Sequence, residues 1–219
     1  MKKISFSQSD QQTLAQSLHL FTEETLTQSN ILTYSNKEWI HHAGTPLNFL
    51  YVLLQGKAKI VKIEENGKQS ILQFLTAGDF IGELSLVQAE TDTKDIRSMG
   101  ETICLAIPFT YAEQQLLNDN QFLRMISQYI GKKVLSRTEQ ATRNQHFAFD
   151  YRLARLLLEI VVNDTYDQKH TEIAEYLGIS YRHLLHTWHQ FYEQGLASKQ
   201  NGKIKIHRQA LEAFVAQKK

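Results

Sequence analysis

Tyr181, Arg182, His183 and His186 are the residues whose types and spacing point most directly to chemistry on a macromolecule. They open a helix whose apolar stripe is Leu184, Trp188 and Phe191, so their polar ends face outward while the stripe faces a core. Ser180, immediately before them, is expected to cap this helix. Upstream, Thr171 is expected to cap a first helix, to which Ile173, Ala174 and Leu177 give one apolar face. Gly178 stands between the two, where a sharp turn needs positive φ. Ala174 is small enough for the helices to cross closely. Helix, glycine-containing turn and a second helix with long polar side chains at its start form the geometry that fits a DNA major groove.

The following residues extend that reading. Gly195-Leu196 ends the second helix, and residues 198–207 read as a β-hairpin on an Asn201-Gly202 turn. Ile204 and Ile206 alternate with Lys203, Lys205 and His207, giving one buried and one basic face. The result is a winged helix-turn-helix over residues 148–219, with Lys199 and Lys203 of the wing placed to touch phosphates. His183, His186 and His189 are spaced by three residues, but such steps fan around a helix and no acidic or Cys partner is adjacent; no metal site is expected. Asp150 is expected to cap a helix over 151–162, whose Leu153, Leu156, Leu157 and Ile160 build the core of this domain.

The elements that precede it have a different grammar. Residues 4–30 read as a weakly patterned helix with Leu14, Leu18 and Phe21 as its docking stripe. Strands follow at 31–34, 38–42, 49–55, 57–64, 69–75, 80–84, 95–99 and 102–107. Turn signals separate several of them: Ala43-Gly44, Gln55-Gly56, Asn66-Gly67 and Ala77-Gly78. Such close spacing predicts an antiparallel barrel or roll and not βαβ units. Pro108 stops the last strand. A short helix over 110–117 leads to a long one over about 119–145, capped within Asn118-Asp119-Asn120. Phe122, Ile126, Tyr129 and Val134 form its apolar side, which a second copy of the chain would cover, making a homodimer. The expected boundary between the domains lies at residues 147–148.

Composition bounds what the chain can do. With 42% hydrophobic and 21% charged residues in 219, it has the makings of two globular domains. A single cysteine excludes an intramolecular disulfide framework and an iron–sulfur site held by four cysteines of one chain, and suits a reducing cytoplasm. No apolar run long enough to span a membrane occurs. Residues 143–219 carry 11 Lys/Arg against 8 Asp/Glu, while residues 1–142 carry 13 against 15, so the C-terminal part is the anion-facing one. No P-loop, no His-Glu-x-x-His and no Gly-x-Ser-x-Gly is present, and an enzyme is not expected.

Leu53-Leu-Gln-Gly-Lys-Ala-Lys-Ile-Val61, Ala77-Gly-Asp-Phe-Ile-Gly-Glu-Leu-Ser-Leu86, Cys104-Leu-Ala-Ile-Pro108 and Thr171-Glu-Ile-Ala-Glu-Tyr-Leu-Gly-Ile-Ser180 arrive in one order along the chain. In these segments the sequence resembles the CRP/FNR superfamily of bacterial transcription regulators over nearly its whole length. Residues 175–185 look most similar to its YeiL-type branch. The resemblance implies an α+β chain: a cyclic-nucleotide-binding-like antiparallel β-roll (a double-stranded β-helix, or jelly roll) with a long dimerisation helix over residues 1–147, then the winged helix-turn-helix. It implies a homodimer on double-stranded DNA with a palindromic operator, RNA polymerase as a further partner and a small-molecule effector in the roll.

The resemblance also implies an effector pocket around Gly82, Glu83, Leu84, Ser85, Lys94, Asp95, Arg97, Arg137 and Thr138. Cyclic-nucleotide-binding relatives hold the ribose 2′-hydroxyl with the glutamate of Gly-Glu-Leu and neutralise the phosphate with Arg-Ser or Arg-Ala. Here Glu83 is present but Lys94-Asp95 stands in place of the pair, and a carboxylate beside a phosphate is unfavourable. Cyclic AMP is therefore not the expected effector, although Arg97 would supply the charge in a different loop register. The cysteines of oxygen-sensing relatives are missing. Haem-binding relatives use a His or Cys; His41 and His42 point to opposite faces of a strand, so at most one faces inward, and Cys104 reads as a core residue. In the recognition helix, relatives that use Arg-Glu and a later Arg match Tyr181, Arg182 and His186. Arg182 is expected to make a bidentate guanine contact, assisted by His186 or His183, with Tyr181 on a phosphate or thymine methyl. The alternative is a small-molecule-binding module whose winged helix contacts protein.

Overall fold

In a computed structural model, residues 2–4, 21–63, 67–200 and 202–218 are described. They divide into two compact units, residues 1–62 with 73–134, and residues 63–72 with 135–219. The expected stripe residues Leu14 and Leu18 lie outside the described residues, as do Asn66 and Asn201 of two expected turns.

The first unit is built on an antiparallel sheet. The strands of this sheet are β1 (Lys2–Ile4), β2 (Asn30–Tyr34), β3 (Trp39–His41), β4 (Phe49–Ile63), β5 (Gln69–Thr76), β6 (Phe80–Ile81) and β7 (Asp95–Pro108), all in the first unit except residue 63 and residues 69–72. The hydrogen-bonded order is β1-β2-β7-β4-β5, with β3 also on β7 and β6 on β4. The roll predicted from the turn spacing is present, but four of the predicted strands are two continuous ones, β4 and β7. Gln55-Gly56 and Gly100 do not turn the chain; they bend β4 and β7, whose pairing slips register on either side of Gln55. Gly56 has φ +85°, and a Cβ there would sit 2.3 Å from the Glu101 carbonyl oxygen, so only glycine lets the two long strands stay paired through the bend.

Two further corrections concern local structure. Lys2–Ile4 pairs with β2 as an edge strand instead of starting a helix, and the described helical part of this region is α1 (Glu23–Gln28), capped by Thr22. The expected strand over 80–84 stops at Ile81: Gly82 takes φ +91°, and Glu83–Leu86 forms a helical turn, α2. Helix α3 (Phe109–Gln114), a 3-10 turn at Leu116–Asn118 and the long helix α4 (Asn120–His146) follow. Asp119 Oδ1 accepts from Gln121 N at 2.8 Å, as the capping expectation requires.

The roll holds two packed clusters. One contains Leu32, Tyr34, Leu53, Leu75, Ile96 and Cys104. The other joins Leu50, Phe80, Leu105 and Ile107 to Phe122 and Ile126 of α4, with Phe21 against the Phe80 and Phe122 rings. The α4 stripe is thereby split: Phe122 and Ile126 are buried on the roll, whereas Val134 is 58% exposed and Leu135 65%.

The second unit contains α5 (Phe149–Ile160), β8 (Thr165–Tyr166), α6 (His170–Tyr176), α7 (Tyr181–Glu193), β9 (Ala197–Gln200), β10 (Lys203–Ile206) and α8 (Arg208–Gln217). Strands β8, β10 and β9 form a small antiparallel sheet in that order. Leu153, Leu156, Leu157 and Ile160 of α5 are buried as their spacing predicts, together with Leu184, Trp188 and Phe191. Asp150 is not the α5 cap. Ala148 occupies that position, and Asp150 sits in the first turn, accepting from Tyr151 N and pairing with Lys218. A carboxylate there still favours the positive end of the helix dipole.

Candidate nucleic-acid interface and effector site

The helix-turn-helix is set by three local devices. Helix α6 ends at Tyr176, and Gly178 takes φ +68° while the Ile179 N–H donates back to the Ala174 carbonyl at 2.9 Å. That left-handed turn satisfies end carbonyls of α6 and redirects the chain. Ser180 Oγ then accepts from His183 N at 3.2 Å, capping α7 as expected. Ala174, 3% exposed, lies where α6 packs on α7. Thr171, by contrast, is not a cap: α6 starts one residue earlier, at His170 after Lys169, which leaves the Thr171 side chain exposed on the first turn.

On α7, Tyr181, Arg182, Leu185, His186 and His189 are exposed, opposite the buried Leu184, Thr187, Trp188 and Phe191. His183 sits at the border of this face. Its ring lies 4.9 Å from the Phe149 ring of α5, a contact that sequence spacing alone did not reveal. On the wing, Lys199 and Lys203 are exposed, and the Lys199 ammonium lies 5.5 Å above the Tyr192 ring, which steers it toward α7. Gly202 has φ +73°, in keeping with a tight hairpin turn. Ile206 is buried and Lys203 exposed, as the alternation predicts, but Ile204 and Lys205 are both half-buried, and Lys205 Nζ donates to the Asn163 carbonyl at 3.1 Å.

Behind this surface is an aromatic cluster. Trp188 is 1% exposed and contacts Tyr166, His170, Phe191 and Tyr192, with the His170 ring stacked on it at 5.4 Å and 12°. His170 Nδ1 is 3.1 Å from the Tyr166 hydroxyl. Burial, and secondarily the charge of Lys199, hold the His170 imidazole below its ordinary pKa. The folded state therefore resists a proton that the unfolded chain takes up at about pH 6.5. His170 contributes stability above that pH, and the contribution is lost as pH falls toward the depressed value. Scanning calorimetry should show Tm falling between pH 7 and pH 5, with a smaller fall in His170→Phe; an equal fall in both proteins would remove His170 from the account.

In the roll, Glu83 is 3% exposed, and its Oε1 accepts from Lys133 Nζ of α4 at 2.7 Å. One turn earlier on the same helix, the Tyr129 hydroxyl donates to Asp79 Oδ1 at 3.0 Å and accepts from Phe80 N at 3.1 Å. Burial, then the nearby Asp79 charge, push the Tyr129 phenol above its ordinary pKa. Sequence spacing does not single out Asp79 or Lys133, and it reads Tyr129 only as part of an apolar stripe. The available signal was the i, i+4 spacing of Tyr129 and Lys133 beyond a buried stripe.

The other expected pocket residues are dispersed. Gly82 provides the left-handed turn before α2, where a Cβ would approach Leu47 to 3.3 Å. Leu84 is half-buried, and Ser85 Oγ donates to Glu90 at 2.9 Å. Lys94 donates to the Asp92 carbonyl and lies 3.9 Å from Glu90. Asp95, 8% exposed, accepts from Ala43 N at 3.1 Å. Arg97 is drawn elsewhere, with its guanidinium 5.0 Å above the Trp39 ring and its Nε on the Lys37 carbonyl at 2.7 Å. Arg137 and Thr138 are exposed on the part of α4 that belongs to the second unit. His41 is buried at the end of β3 and His42 is exposed just beyond it, outside the strand that was expected to hold both; burial holds His41 below its ordinary pKa against the pull of Asp95. Cys104 is fully buried, and burial pushes its thiol up to about 12, which leaves it unreactive at neutral pH.

Comparison with known proteins gives both units counterparts. Residues 31–119 match the cyclic nucleotide-binding domain family, and residues 151–214 match the Crp-like helix-turn-helix domain family. The regulatory protein YeiL of Escherichia coli O157:H7 is 33% identical over 191 residues, 86% of this chain and 87% of that protein. The cAMP-activated global transcriptional regulator CRP of Salmonella typhimurium is 27% identical over 137 residues, 62% of this chain and 65% of that one. Among solved structures, a CRP/FNR-family transcriptional regulator of Thermus thermophilus shares the fold with TM-score 0.65 at 17% identity, covering 86% of this chain and all of its own.

Proposed function

This chain belongs to the CRP/FNR family of transcription regulators, and on that footing we propose that it works in the cytoplasm as a homodimer reading a palindromic operator, under the control of a signal taken up in its roll. It is a DNA-binding regulator and not an enzyme. The observation that carries the reading is the exposed face of α7, where Arg182 stands on a capped helix seated by Trp188 beside the basic wing. Arg182 would make a bidentate guanine contact, His186 would assist it, and Thr171, Ser180, Tyr181, Lys199 and Lys203 would position the domain on phosphates. His183 would serve from the border of this face. The exposed Val134 and Leu135 of α4 would be covered by the second copy, and RNA polymerase would be the further partner.

The signal is proposed not to be cyclic AMP. Glu83 already holds an ammonium, Arg97 is engaged on Trp39, and Asp95 is buried near where a phosphate charge would need a cation.

Selection from a random DNA pool by the purified protein, without added ligand, tests the reading. The expected product is a palindromic motif. Arg182→Ala is expected to bind it about 10- to 100-fold more weakly for each half-site, the loss of one bidentate base contact in each, with an unchanged melting temperature. Recovery of no motif, with or without cell extract, would refute operator recognition.

A further inference from the structure

Two of the six large hydrophobic side chains exposed among the described residues lie on α7: Tyr181, 49% exposed, and Leu185, 40% exposed. They are four residues apart, so they adjoin on the helix surface. A single exposed leucine needs no explanation. This one does, because its neighbour Leu184 is fully buried and already supplies the core contact at this turn, together with Trp188 and Phe191. Leu185 is therefore surplus to the packing of the domain. It lies next to Arg182, roughly 60° around the helix and about 4.5 Å further along its axis.

We infer that Leu185 is a specificity residue that reads the C5-methyl group of a thymine within about two base pairs of the guanine read by Arg182. The inference rests on the proposed operator reading and sharpens it. The major groove offers hydrogen-bond donors, acceptors and a single apolar group, the thymine methyl. Leucine can neither donate nor accept, so among base edges only that methyl rewards its exposure. The rest of the face agrees. From Tyr181 to Tyr192 the helix carries no Asp or Glu, so no carboxylate accepts from a cytosine N4 amino group. What it presents instead is a guanidinium donor, imidazoles and an apolar strip. Such a face favours a half-site of guanine with a neighbouring thymine over one that needs cytosine recognition.

The test removes the methyl and nothing else. Full-length protein is titrated against the selected operator by fluorescence anisotropy, with each thymine of a half-site replaced in turn by deoxyuridine, symmetrically in both halves. Wild type, Leu185→Ala and Arg182→Ala are compared. One thymine position is expected to matter: deoxyuridine there weakens wild type by about 3- to 10-fold for each half-site, on the scale of a lost apolar contact. Leu185→Ala should bind the thymine operator more weakly by a similar factor and be indifferent to deoxyuridine at that position. Arg182→Ala should keep the methyl sensitivity, since it removes a different contact. Leu185 is exposed, so an unchanged melting temperature checks that Leu185→Ala folds normally.

The inference is overturned if no position is methyl-sensitive, if Leu185→Ala retains the full sensitivity, or if Leu185→Ala binds as wild type does. The last result would leave the apolar strip for a protein partner. Absence of any selected operator overturns the regulator reading itself, and shows at the first step, before deoxyuridine is introduced.

Discussion

Replacing Glu83 with alanine is expected to lower the free energy of unfolding by about 3 kcal/mol, because it leaves the Lys133 ammonium without its partner in a largely dry site. The Glu83 side chain is 4% exposed and that of Lys133 13%, with 2.7 Å between the charged atoms. Removing one member of such a pair loses the attraction but keeps the desolvation of the other charge. Replacing both, Glu83→Leu with Lys133→Met, should recover most of the loss, since an apolar pair of similar volume has neither charge to bury. Urea denaturation of the wild type, the two single variants and the double variant completes the cycle. A Glu83→Ala protein within about 0.5 kcal/mol of wild type would mean that the pair does not help to hold α4 on the roll, and that the Tyr129–Asp79 bond and the Phe122 and Ile126 packing suffice.

Trp188→Ala is expected to abolish operator binding although Trp188 is buried on the side of α7 opposite Arg182. The indole is the largest fully buried side chain among the described residues and touches four aromatic rings from β8, α6 and α7. Truncating such a residue costs about 3 to 5 kcal/mol, comparable with the whole stability of a small domain. The recognition helix would lose its seat before any base contact was altered. Circular dichroism should then show loss of helix at 25 °C, whereas Arg182→Ala should lose binding with its spectrum intact. Trp188→Phe should fall between them. A folded Trp188→Ala protein that still bound the operator would show that the cluster is dispensable for presenting α7.

The most local features were the most legible. Ser180, Gly178 and the Leu184-Trp188-Phe191 stripe specify a capped second helix and a left-handed turn within about a dozen residues, and the structure places them so. Capping, positive φ and 3.6-residue periodicity act between neighbours in the chain, so they can be read without knowing what packs where. The same holds for the roll as a class, whose strands and glycines recur at short intervals. The Thr171 and Asp150 caps were misplaced because each helix starts earlier than its polar residue allows, with Lys169 and Ala148 at the N-caps.

Tertiary structure decided the rest. Glycine at 56 has the local signature of a turn, but β4 stays extended through it because eleven residues pair with β7 across the bend. Glu83 enters the sequence reading only as a pocket carboxylate implied by the resemblance, and its actual partner is fifty residues away on α4. Arg97 could have faced the pocket by sequence; its stacking on Trp39 follows from the pairing of β3 with β7, which sets the two residues opposite each other. His183 is held toward α5 by Phe149, thirty-four residues earlier. Sequence alone determined the helix-turn-helix and the helix that carries the residues proposed to read DNA. Only the fold decided which of the charged groups remain available, because charge partners are chosen by proximity in space, and that proximity is made by long-range strand pairing and helix packing.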